Sequence, residues 1–357
     1  MRPGLAEIAS LFLKLGTIGF GGPAAHIAMM EDEVVRRRGW LSREEFLDLV
    51  GATHLIPGPN STEMAIHVGY RKAGVAGLIL AGICFILPAA VIVGIIAWAY
   101  VRYGTLPQLE IILNSVKPVI IVVVLQAMLV LGKTAIKSSS LAAIAVSSVI
   151  LGALGVHELV VLLLAAVAGI VVHSSRISVP LFSVELLPIF LFFLKVGSVL
   201  FGSGYVLLAF LRADLVERWQ WLSAGQLLDA VTVGQVTPGP VFTTATFIGY
   251  ILAGFPGATV ATIGIFLPAF VFVGLSGWLV PQIRRSPRAG AALDGVNAGS
   301  LALMAVVTAQ LARNAVVDVP TALLAVAAGV GLFVFRLNSV WLVSGAVVAG
   351  LIAALTR

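Results

Sequence analysis

Pro57-Gly58-Pro59 interrupts an apolar chain at a point where a helix cannot continue. Each proline lacks an N–H and pushes the residue before it out of the α region. Pro59 suits the first turn of a following helix, where its missing donor costs nothing. The spacing predicts a short helix over 44–54, a break, and a new helix over 60–70 that begins with unpaired N–H groups. At membrane depth such a break is tolerated only where protein or a water-filled cavity surrounds it. Thr237-Pro238-Gly239-Pro240 repeats the device.

Composition places both breaks in a membrane. The 357 residues are 60% hydrophobic and 11% charged, with a mean hydropathy of +1.09, whereas a soluble domain carries about a quarter charged residues. Runs over 74–100, 111–131, 289–311 and 340–355 approach the roughly 20 residues that cross hydrocarbon. The first 30 residues show no small-residue cleavage site, so no removable signal peptide is read there. Cys84, the single cysteine, excludes an intramolecular disulfide and a cysteine-based metal cluster. A net charge of +6 fits loops that face anionic lipid. No basic cluster lies in a polar domain able to present it to nucleic acid. The expected class is an all-α polytopic membrane protein.

Self-comparison finds two halves. Phe12-Leu13-Lys14-Leu15-Gly16 matches Phe193-Leu194-Lys195-Val196-Gly197 at a shift of 181. At that shift Phe20-Gly21 meets Phe201-Gly202, Trp40-Leu41-Ser42 meets Trp221-Leu222-Ser223, Asp48 meets Asp229, and the two Pro-Gly-Pro elements coincide. One residue is then lost, and at a shift of 180 Gly69-Tyr70 meets Gly249-Tyr250 and Leu87-Pro88-Ala89 meets Leu267-Pro268-Ala269. The chain divides into an N-terminal repeat over 1–172, a connector over 173–184 and a C-terminal repeat over 185–357. Setting aside Lys14, Lys117 and Lys195 as intramembrane leaves 19 of the 22 Lys and Arg. They divide 13 to 6 between the two membrane faces if each Pro-Gly-Pro element re-enters, and 11 to 8 if it spans. The positive-inside rule thus favours re-entrant elements and inverted repeats.

Lys14 and Lys195 hold equivalent places in the first apolar segment of each half. An ammonium there costs at least about 2.5–3.5 kcal/mol unless it meets a partner or water. One reading is a lysine that snorkels to the interface. The other, favoured by the duplication, is a pair of cations facing an anion. The helix starts at Asn60 and Val241 add N–H groups and the positive end of a helix dipole, and Ser61, Thr62, Thr243 and Thr244 add hydroxyls. A structural kink is the plain alternative, but paired breaks beside paired lysines resemble the midplane sites of secondary transporters. Gly21, Gly22 and Pro23, with Gly202 in the second half, and the breaks Pro57-Gly58-Pro59 and Pro238-Gly239-Pro240 would let the site change shape.

Glu63 has no acidic counterpart. With His54 and His67 it forms a titratable cluster in one half only, and Glu63 and His67 share a helix face. It reads equally as a proton relay and as a carboxylate paired with Lys14 or Arg71. A metal is disfavoured, since His54 lies across the break and no fourth ligand is evident; no cofactor is expected. Trp40 and Trp221 read as interfacial anchors, and Arg36-Arg37-Arg38 as a solvated face that holds topology.

Phe-Leu-Lys-x-Gly, Phe-Gly-Gly-Pro, Trp-Leu and Pro-Gly-Pro, repeated in a second half, resemble the chromate ion transporter family, in its long two-domain form. The resemblance covers nearly the whole chain. It implies multi-pass residence in the bacterial inner membrane, antiparallel halves, and export of chromate from the cytoplasm with chromate resistance. Sulfate, a dianion of similar shape, is implied as a second substrate or competitor. The second half departs from Phe-Gly-Gly-Pro with Phe201-Gly202-Ser203-Gly204. An oxyanion channel and an intramembrane enzyme acting on a lipid or phosphorylated substrate are the alternatives. Oligomeric state is open, with a homodimer as one form.

Overall fold

The computed structural model describes residues 4–19, 22–53, 56–103, 107–136, 139–154, 186–200, 207–285, 316–335 and 339–356, with scattered positions between 160 and 168, between 295 and 315, and at 337. Among these every regular element is helical. In order they are α1 (Leu5–Ile18), α2 (Gly22–Glu31), a π-helical turn (Asp32–Arg37), α3 (Arg43–Thr53), α4 (Asn60–Tyr103), α5 (Pro107–Ala135) and α6 (Ser139–Ala153). The second half gives α7 (Leu186–Val199), α8 (Leu207–Leu211), a second π-helical turn (Arg212–Arg218), α9 (Ala224–Val236), a 3₁₀ turn (Val241–Thr243), α10 (Thr244–Arg285), α11 (Val319–Phe333) and α12 (Ser339–Thr356). The connector and the segment over 202–204 lie outside the described residues.

Local chemistry repeats along with the sequence. Ser42 and Glu45 form a reciprocal capping box at the start of α3, with bonds of 2.8 and 3.1 Å. Ser223 and Gln226 do the same at the start of α9, at 2.9 and 3.1 Å. Each pair satisfies two N–H groups that a helix start leaves open. The π-helical turns occupy equivalent positions. Both are followed by a residue in the left-handed region, Gly39 (φ 59°) and Gln220 (φ 53°).

α4 is two helices in one. Ala73 and Gly74 leave helical geometry, with Gly74 at φ 59°, and Ala253 and Gly254 do so at the matching place in α10. Gly69 then lies against the Gly77 backbone and Gly249 against that of Gly257. The chain therefore folds back on itself as a tight helical hairpin. Residues 60–72 are too short to cross hydrocarbon alone, while 75–103 run about 43 Å at 1.5 Å per residue.

The long arms carry the mark of lipid. Val75, Ile79, Ile83, Leu87, Val91, Ile95 and Trp98 form one exposed stripe, and Leu78, Ala81, Phe85, Ala89, Val93 and Ala97 are buried on the other face. Ile263, Leu267, Val271 and Leu275 repeat the exposed stripe on α10. A continuous apolar band of this length is foreign to a monomer in water. It is the expected outer surface of a membrane helix.

The chain forms two compact units. The first, Met1–Trp98, Val179–Gly204 and Val233–Ser286, contains α1–α3, most of α4, α7 and α10. Gly16 lets α1 meet the Phe85 carbonyl edge of α4, and Gly197 lets α7 meet that of Ile265 on α10. The second unit, Ala99–Ser178, Tyr205–Thr232 and Pro287–Arg357, has α5 packed against α11 and α12. Its interior holds an ion pair, Lys117 Nζ to Asp229 Oδ1 at 2.9 Å. Tyr100 donates to the other Asp229 oxygen at 2.8 Å, and Lys117 also donates to Asn114 at 3.0 Å. Asp229→Leu should cost about 3–5 kcal/mol, because it strands a buried cation. Adding Lys117→Met should recover most of that loss, as measured by denaturant unfolding in detergent.

Candidate functional site

Each Pro-Gly-Pro break is tied to the other repeat by a backbone hydrogen bond. The Gly58 N–H donates to the Leu200 carbonyl at 2.7 Å, and the Gly239 N–H donates to the Gly19 carbonyl at 2.8 Å. Gly58 and Gly239 are equivalent under the 181-residue shift, as are Gly19 and Leu200. The exchange is therefore reciprocal, like a contact across a two-fold axis. Gly19 and Leu200 close α1 and α7, so each half supplies a donor to a carbonyl left open at the other half's helix end. His26, buried and edge-on to Phe85, places Nε2 2.8 Å from the same Gly19 carbonyl.

Glycine is required at the centre of each break. Gly58 sits at φ 139° and Gly239 at φ 89°, and a Cβ on Gly239 would lie 2.6 Å from Ala89 Cβ. Pro57, Pro59, Pro238 and Pro240 fix the backbone on either side.

Beyond the breaks the two helix starts differ. α4 begins at Asn60 directly, whereas Val241–Thr243 form a 3₁₀ turn before α10. Asn60, Ser61, Thr62, Val241, Thr243 and Thr244 are all buried. Thr243 and Thr244 donate their hydroxyl protons to the Pro240 and Val241 carbonyls, each at 2.8 Å. In this arrangement they can offer an anion no proton. The Thr62 hydroxyl is buried with no partner among the described residues.

Glu63 is fully buried, and neither carboxyl oxygen has a partner among the described residues. The two cations weighed for it are engaged elsewhere. Lys14 meets Glu33 at 2.6 Å, and Arg71 meets Glu45 at 3.6 Å. His67, one turn along, is also buried. His54, Gly21 and Gly202 lie outside the described residues, and Gly22 and Pro23 open α2.

Lys14 occupies the α1 face opposite Gly16, with its side chain 48% exposed. Lys195 is half-buried on α7. Glu33 is not among the candidate residues of the sequence reading, yet it collects Lys14, Arg37 and Arg38 within 4 Å. Its hydrogen bond from Lys14 holds its carboxyl below the usual carboxylate range, against the opposing effect of burial. The only available signal was the 181-residue shift, which sets Glu33 on Asp214 and Arg37 on Arg218.

A duplicated helical chain with lipid-facing arms and paired backbone breaks is a multi-pass membrane protein. The chromate transporter family model matches residues 6–170 and again 187–351. A chromate transport protein of Cupriavidus metallidurans is 32% identical over 98% of this chain and 93% of its own. A probable chromate transport protein of Synechococcus elongatus is 31% identical over 90% and 88%. A chromate transport protein of Pseudomonas aeruginosa is 31% identical over 88% and 83%. No solved structure matches. The chain belongs to the chromate transporter family; it is a transporter and not an enzyme.

Gly239→Ala tests the break directly. The new Cβ combines a strained φ with a clash, and should cost about 2–3 kcal/mol. A lowered melting temperature in detergent, alongside a near-normal Gly94→Ala control in open space, is the expected result.

Proposed function

We propose that this protein exports chromate from the bacterial cytoplasm across the inner membrane, with sulfate as a competing oxyanion, and so confers chromate resistance. The observation that carries the reading is the reciprocal pair of breaks, which sets two buried helix starts in one unit. N–H groups there and the positive dipole ends attract a tetrahedral dianion without requiring a buried cation. The names of the bacterial relatives support chromate as the substrate. The two repeats run antiparallel, each with a re-entrant Pro-Gly-Pro element, and rocking between them gives alternating access. The short helices flanking each break support re-entry, since neither crosses hydrocarbon alone.

Lys14 and Lys195 gather the anion, and Thr62 supplies a hydroxyl. Glu63, buried with no cation partner among the described residues, carries the proton that couples transport, with His67 one turn along and His54 as a further relay group. Its pairing with Lys14 or Arg71 loses support from the bonds those residues make elsewhere.

Radiolabelled chromate flux in proteoliposomes tests this. Wild type should transport, excess sulfate should inhibit, and Lys14→Ala and Lys195→Ala should each reduce flux at least about tenfold, a loss of roughly 1.4 kcal/mol. Glu63→Gln should keep chromate exchange but lose its response to a pH gradient. Absence of wild-type flux under every ion gradient would overturn the transport reading.

A further inference from the structure

Beside Lys14 lies a cavity of about 370 Å³, lined by Lys14, Asp32, Glu33 and Arg37 with Leu15 and Met29 among its apolar walls. At about 30 Å³ per water it has room for on the order of ten molecules, enough for a small anion and part of its hydration shell. The four charges lining it cancel. An entering anion therefore meets no surplus positive charge while Lys14 remains paired.

The way Lys14 is paired is informative. Glu33 is buried, 7% exposed, whereas Lys14 is half-exposed and borders the cavity. Glu33 Oε1 lies 2.6 Å from Lys14 Nζ and 3.8 Å from Arg37 Nη1, and Oε2 accepts from Arg38 Nε at 3.3 Å. If Lys14 leaves, Glu33 still has two guanidinium partners and is not stranded as a buried charge. Release is therefore cheap at this position. The same charges recur in the second half as Lys195, Asp214 and Arg218, with aspartate in place of glutamate. Asp214 is buried, with Arg218 at 3.7 Å.

We propose that Glu33 is a tethered occupant of an oxyanion-binding cleft at Lys14, separate from the helix starts: its carboxylate holds Lys14 when no substrate is present, and an incoming oxyanion displaces it onto Arg37 and Arg38. This rests on the reading of Lys14 as an oxyanion-binding residue. The displacement makes Glu33 a determinant of specificity. A monoanion offers Lys14 no more charge than the carboxylate it must replace, whereas a dianion offers more and wins the exchange.

The test is equilibrium binding of radiolabelled chromate to the purified full-length protein, with nitrate as monoanion competitor. Glu33→Gln should bind chromate about two- to fivefold tighter, the range expected from freeing a half-exposed ion pair, and should become sensitive to nitrate. Glu33→Asp keeps the charge with a shorter arm, and should fall between Glu33→Gln and wild type. In a Lys14→Gln background the Glu33→Gln change should have no effect on binding, because both act through one contact. Weaker or unchanged binding in both Glu33 variants, with binding lost in Lys14→Gln, overturns this inference and leaves Glu33 as a residue that positions Lys14. Wild-type binding in Lys14→Gln overturns the reading of Lys14 itself.

Discussion

The structure depends on a rule of hydrocarbon: a peptide group inside a membrane must find its hydrogen-bond partner within the protein. Every break in a helix creates open N–H and C=O groups, among them those at Gly19, Gly58, Leu200 and Gly239 in the first unit. Gly58 to Leu200 and Gly239 to Gly19 pair them across the duplication. Gly16, Gly197, Ala89 and Ala269 are small for the same reason, since backbone must approach backbone closely around the breaks. The Thr62 hydroxyl and the Glu63 carboxyl oxygens, buried just beyond the first break, have no partner among the described residues.

Symmetry and its departures divide the labour between the halves. Capping boxes, π-helical turns, breaks and hairpin kinks all occur twice. Titratable groups at the centre do not: Glu63 and His67 belong to the first half, whose second-half counterparts are Thr243 and Phe247 at the 180-residue shift. Lys117, Tyr100 and Asp229 likewise form one asymmetric cluster in the second unit. A duplicated scaffold supplies two equivalent arms, while the unmatched polar residues distinguish one half from the other.

Much of this was legible in the residues. Proline and glycine report backbone constraints directly, so the breaks and the repeat could be read without a structure. Which way Lys14 points could not be read with equal ease. Residues 14 and 16 lie about 200° apart on a helix, and Gly16 is the residue that marks the packed face. A lysine beside that glycine was thus set to look outward, toward Glu33. Glu33 itself was hidden in a run of charges, where a buried acid and a solvated one look alike. Thr243 and Thr244 promised hydroxyl donors, but a threonine in a first helical turn readily bonds the carbonyls behind it. The partner of each broken helix was hidden too, because hydrogen bonds between backbones leave no mark on side-chain identity.

The reciprocal bonds also set an order of assembly. When Gly58 leaves the ribosome, its acceptor Leu200 has not been made, and Gly19 waits longer still for Gly239. At about 5–20 residues per second, the delay is on the order of ten seconds. Throughout that interval the Gly58 N–H lacks its final acceptor and the Gly19 carbonyl lacks its donor from the second repeat. Until its twin arrives, the nascent repeat must meet those groups with water or a temporary partner.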